Sequence, residues 1–177
     1  MTAMTTRTLT ALLTALLLFG LAGDGWAGRV DGELGVGVLM GFESGSNRPT
    51  DPGLSYGIGV AGELSERLDF ELGFTKAEAR DRGEGDLRKI ETINLGLRWY
   101  PWVTPGAPAA LYFAFGGARV SGLELGETRN AYYLGPGMRF QAGESSGFGL
   151  RVPMFINAEK DSNGRVMAQL NWFTQFK

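Results

Sequence analysis

Seven charged residues are the first candidates for chemistry in this chain. Glu33, Glu63, Asp69 and Glu71 occur early, and Arg98, Arg139 and Arg151 follow later, each inside a segment of alternating apolar and small or polar residues. Paired carboxylates can share acid and base duties when their surroundings separate their affinities for protons. Carboxylates that meet arginines across a narrow space are more often neutralised, because an unpaired buried ion is very costly. The second arrangement fits here, and no catalytic residue is assigned. Histidine and cysteine are both absent, which removes the commonest general base, thiol nucleophiles, thiolate metal sites and disulfides. No metal site and no cofactor are expected. Gly57 to Gly62 spells G-x-G-x-x-G, a pattern that binds dinucleotides only between a strand and a helix N-terminus. Here a Pro/Gly loop precedes it and a strand continues through it, so the glycines read as one face of a strand.

The elements that must position these charges are strands. From Val30 to Phe42 the even positions, apart from Gly32, are large and apolar, while all but one of the odd positions are acidic or glycine. Strict period two marks a strand with unlike faces. The pattern returns in Leu54–Leu64, Leu68–Thr75, Ile93–Trp99, Leu111–Gly116, Tyr132–Gln141, Phe148–Asn157 and Val166–Phe176, giving eight strands. Polar and longer connections at Glu43–Gly53, Ala79–Arg88, Ala118–Asn130 and Ala158–Gly164 alternate with shorter turns, apart from a proline-rich link from Pro101 to Pro108. An even strand count with long loops at one end and short turns at the other is the plan of an outer-membrane barrel. The expected fold is therefore all-β, an eight-stranded antiparallel up-and-down transmembrane β-barrel.

Volume decides which face looks inward. An eight-stranded barrel has room inside for side chains or one small ligand, and the apolar face carries about 35 mostly bulky residues. They would not fit inside, so the apolar face points to lipid, and glycine, alanine, small polar groups and the seven charges line the lumen. The charges come from strands one to three on one wall and four, six and seven on the other, all toward the short-turn end. They would form a salt-bridge network, with Arg139 and Glu71 as one trial pair. Trp99, Tyr100 and Trp102 cluster at a strand end, where an interfacial aromatic girdle is expected. Pro136 and Pro153 fall nearly side by side if their strands pair across the Gly143 to Gly147 turn. Neither can donate to a ladder, which predicts a local gap between strands six and seven, as a strain-relieving bulge or as a lateral opening.

At 177 residues there is room for one domain. Twenty-eight glycines disfavour a helical protein, and 20% charged residues rule out several membrane-spanning helices. The net charge of −2 implies no nucleic-acid partner. Arg7, the leucine-rich run from Ala11 to Ala22, and Gly25-Trp26-Ala27 match a secretory signal peptide cleaved before Gly28. The domains are thus 1–27, signal peptide, and 28–177, barrel. Counting from a periplasmic N-terminus, Asn47, Arg82, Gly126 and Asn163 would lie outside the cell, and Glu66 and Ser145 on the periplasmic side.

Leu170, Trp172 and Phe176, on one face of the final segment, look like the C-terminal assembly signal of outer-membrane barrels, with Lys177 as a departure after the terminal aromatic. The whole mature chain resembles the small eight-stranded group that includes OmpX, the OmpA transmembrane domain, OmpW and the opacity proteins. That resemblance implies a Gram-negative outer-membrane location, insertion by the barrel assembly machinery, contact with membrane lipid and lipopolysaccharide, and a monomer. It carries architecture further than activity. The proline gap resembles the one by which the lipid A palmitoyltransferase barrel admits lipid; that enzyme and the lipid A deacylase barrel use histidine, which this chain lacks. The expected function is a non-catalytic envelope barrel with a lumen plugged by opposed charges. The alternatives are a narrow channel or lateral conduit for small or apolar solutes, and a lipid-acting enzyme with a non-histidine catalytic set.

Overall fold

The computed structural model describes residues 29–42, 50–81, 87–103, 107–122, 128–157 and 164–176. The expected signal peptide, Lys177, and the loop positions Asn47, Arg82, Gly126 and Asn163 lie outside them. The strands are β1 (Val30–Phe42), β2 (Thr50–Ser65), β3 (Leu68–Asp81), β4 (Leu87–Trp99), β5 (Ala109–Ser121), β6 (Thr128–Gln141), β7 (Ser146–Arg151), β8 (Met154–Asn157) and β9 (Gly164–Phe176). Each pairs antiparallel with its neighbour, and β9 closes on β1 from Val30↔Phe176 to Phe42↔Gly164. Closure removes every free sheet edge.

Nine strands make eight staves, because β7 and β8 are the two halves of one. Both pair with β6 on one side and β9 on the other, in a continuous register interrupted at Val152-Pro153. The Val152 amide still donates to the Pro136 carbonyl at 3.0 Å, and the Met167 amide to the Pro153 carbonyl at 2.9 Å. Each proline lacks only the reciprocal donor. Pro136 thus weakens the seam toward β7, whereas Pro153 weakens the opposite seam, toward β9. The two missing bonds lie on either side of one stave and do not open a single slit between the sixth and seventh.

Several strands run past their alternating cores. β2 begins at Thr50, β3 reaches Asp81 and β6 starts at Thr128, so the polar connections are shorter than their composition implies. Beyond the apolar belt both faces of a strand are wet, so alternation fades while backbone pairing continues.

The outward side chains are apolar and uncovered, from Leu34, Val36 and Leu54 to Leu170, Trp172 and Phe176. The inward ones are buried and mostly polar or small, and glycine is required where large side chains cross the lumen. A Cβ at Gly137 would collide with the Tyr112 ring, and one at Gly96 with the Tyr133 hydroxyl. The lumen has two storeys. Charges fill the half near the short turns, while Leu39, Ile90, Val120, Phe155 and Met167 pack into the half near the long loops, all buried. Leu39, the one apolar residue on the inner face of β1, belongs to this apolar layer.

Candidate functional site

The charged storey is built by strand register. Asp31 and Glu33 rise from the start of β1, Asp69 and Glu71 from the start of β3, Arg98 from the end of β4, Arg139 from the end of β6, and Arg151 from the end of β7. Up-and-down topology brings the first four of these ends to the same rim, while Arg151 stands partway up its stave, opposite Gly137 and Gln169. Period-two alternation then turns each side chain inward.

Arg98 is the hub. Its guanidinium grips Glu33 through Nη1 and Nη2 at 2.5 and 2.8 Å, while its Nε donates to Glu71 at 2.5 Å. Its side chain is only 2% exposed, and it lies 5.2 Å from the Tyr112 ring centroid. Two planar carboxylates on one guanidinium use the fixed fork geometry that distinguishes arginine from lysine. Glu71 also accepts from the Tyr133 hydroxyl at 2.7 Å and from Asn94 Nδ2 at 3.5 Å. Arg151 approaches Glu71 at 3.9 Å and donates from Nε to Gln169 at 2.7 Å.

A second cluster sits nearer the mouth. Arg139 Nη1 lies 2.6 Å from Asp31 and 3.7 Å from Asp69, and its guanidinium stacks 4.1 Å from the Phe173 centroid. Arg29 bridges the same two aspartates at 3.3 and 3.2 Å. The trial pairing of Arg139 with Glu71 is not the one the fold makes. Arg139 reaches the aspartates one level lower, because both it and Asp69 lie close to the short-turn ends of their strands. Glu63 is bridged to neither Arg98 nor Arg139; it lines the mouth, a cavity of about 410 Å³ shared with Arg29, Asp69, Tyr100 and Arg139.

Across both clusters four carboxylates, Asp31, Glu33, Asp69 and Glu71, meet four guanidinium groups, Arg29, Arg98, Arg139 and Arg151. Their formal charges cancel, which is what a low-dielectric lumen demands. Arg29 and Asp31 were not among the seven sequence candidates. Asp31 shares the inner face of β1 with Glu33 and was accessible to the same alternation argument, whereas Arg29 precedes the strand and carries no such signal.

The aromatic cluster divides. Trp99 and Trp102 face outward, Trp102 being 71% exposed, and Trp99 stacks on Phe113 with centroids 6.3 Å apart. Tyr100 does not belong to a girdle. It is buried in the lumen and donates its hydroxyl to Asp69 at 2.8 Å. Alternation continues one residue past β4, so Arg98 points in, Trp99 out and Tyr100 in.

Behind the proline break, a void of about 10 Å³ is bounded by Glu71, Tyr133, Arg151 and Pro153 among others. Space of that size holds about one water molecule. The arrangement can therefore neutralise and cross-link, and behind the proline break it leaves no room for more than that water.

No protein-family model matches the chain, and no curated protein matches its sequence. Solved structures do match its shape. Neisserial surface protein A aligns with 84% of this chain and 97% of its own at a TM-score of 0.65 and 12% identity. OprG of Pseudomonas aeruginosa aligns with 87% and 98% at 0.62 and 11%. Ail of Yersinia pestis, the attachment invasion locus protein, aligns with 84% and 99% at 0.59 and 14%. At such identities the likeness concerns the fold alone. The chain has the fold of the small eight-stranded outer-membrane β-barrels, closed and antiparallel throughout.

Proposed function

We propose that this protein is a non-catalytic outer-membrane barrel that spans the bilayer with its lumen plugged and contributes to the envelope through its wall and loops. The observation that carries this reading is the filled lumen. A salt-bridged lower storey and an apolar upper storey occupy the described lumen, while the outer wall exposes a belt of Leu, Val, Ile, Phe and Trp that only lipid would cover favourably. A signal peptide over residues 1–27 would deliver it, and Leu170, Trp172 and Phe176 on the outer face of β9 would present the assembly signal to the barrel insertion machinery. It would sit as a monomer among membrane lipid and lipopolysaccharide, with the long loops outside the cell.

The conduit reading would need space behind the proline break, and the void there is far smaller than an acyl chain. The experiment is outer-membrane fractionation with a heat-modifiable gel shift, followed by planar-bilayer recording of the purified protein. A shift in the outer-membrane fraction with no steady conductance is the expected result. Porin-sized openings would overturn the sealed-lumen reading.

A further inference from the structure

Outward side chains that are register partners form rows around the barrel. One row runs Phe148, Trp172, Leu34, Ile58 and Phe74 across β7, β9, β1, β2 and β3. The row above it, toward the long loops, runs Leu170, Val36, Tyr56 and Lys76. Large aromatics stand at the flanks of this patch. Phe148 and Trp172 meet edge to face on one flank, with centroids 4.7 Å apart, and Tyr56 and Phe74 stand on the other. Between them β1 contributes only Leu34 and Val36, with the paired Gly35 and Gly57 between the rows. The result is a saddle of about 550 Å³ in the lipid-facing wall.

Among the residues that line the saddle, Lys76 alone is charged. Its ammonium lies 5.7 Å from the Phe74 centroid and 2.8 Å from Glu91 Oε1. An ammonium has three N–H donors, so one carboxylate oxygen leaves donors for a further anion. Lys76 lies in the half of β3 nearer the long loops, where a strand leaving the apolar belt meets lipid headgroups. A second barrel presents a convex wall that cannot reach a floor between aromatic flanks. A flexible hydrocarbon chain can.

We propose that this saddle is a binding site for an acyl chain of an anionic, phosphate-bearing lipid in the leaflet on the long-loop side, with the lipid phosphate on Lys76. The site rests on the membrane-spanning reading above. Trp172 forms part of its wall and reports its occupancy.

The test uses the full chain with Trp26, Trp99 and Trp102 replaced by Phe, so that Trp172 is the only tryptophan. Folding of every variant is checked by heat-modifiable mobility. The protein is reconstituted in phosphatidylcholine vesicles carrying a small fraction of either brominated phosphatidylglycerol or brominated phosphatidylcholine. Brominated phosphatidylglycerol should quench Trp172 several-fold more strongly at equal mole fraction and should saturate. Lys76→Gln should make the two lipids equivalent, and Val36→Phe, which fills the saddle floor, should also abolish the preference. Equal quenching in the parent protein, or a preference that survives Lys76→Gln, would overturn the site. Quenching that falls as protein is added while brominated lipid stays in large excess over protein would assign the saddle to a second copy, overturning it as well. No quenching by either lipid would instead overturn the membrane-spanning reading on which the site rests.

Discussion

Replacing Arg98 by methionine tests the charged lumen most directly. The change keeps an unbranched side chain of similar length and deletes a guanidinium with five donors. Glu33 then loses both N–H partners, at 2.5 and 2.8 Å, while Glu71 loses Nε but keeps the Tyr133 hydroxyl at 2.7 Å and Arg151 at 3.9 Å. One carboxylate is orphaned and a second is partly held. Breaking a buried pair from one side typically costs about 3 to 5 kcal/mol, against about 0.2 to 1 for an exposed pair. Since Arg98 is 2% exposed and two acids depend on it, the loss should fall in the upper part of the buried range. Urea unfolding of the barrel in lipid vesicles at pH 7, followed by tryptophan fluorescence, measures it. Arg98→Met combined with Glu33→Gln removes the orphaned charge and should recover about 1 to 3 kcal/mol as a non-additive coupling. A single-mutant loss below about 1 kcal/mol, without recovery in the double mutant, would show a solvated lumen and refute the neutralised-plug argument.

Three further outcomes follow from the same geometry. Arg139→Met should cost less than Arg98→Met, about 1 to 3 kcal/mol in the same unfolding assay, because Arg29 continues to bridge both Asp31 and Asp69. Tyr100→Phe should cost about 1.5 to 3 kcal/mol through the lost bond to Asp69, whereas Trp102→Phe at the outer rim should stay within about 0.5; near-equal effects would contradict the inward turn of Tyr100. Phe155→Ala, in the apolar storey, should destabilise the barrel by about 3 to 5 kcal/mol and still give no steady conductance in a planar bilayer, since the charged storey below remains closed.

The sequence by itself determined the wall. Period-two alternation is a local property of the strand, so the eight staves, their faces and the inward direction of Glu33, Glu71, Arg98, Arg139 and Arg151 could all be read along the chain. The volume of the apolar face then settled which side meets lipid. Even the inward turn of Tyr100 lay in that alternation, and it was obscured only by grouping Tyr100 with its aromatic neighbours.

Pairing across the lumen is a different kind of fact. Which acid meets which base depends on barrel tilt and on the height of each residue along its stave, and neither is encoded in any one segment. Only the closed structure places Arg98 between Glu33 and Glu71, sends Arg139 to Asp31, and leaves Glu63 at the mouth. The same holds for the apolar storey. Leu39, Ile90, Val120, Phe155 and Met167 come from five separate strands, and each alone looks like an exception to its alternation. Brought together in the closed barrel, they form the apolar layer above the salt-bridge network.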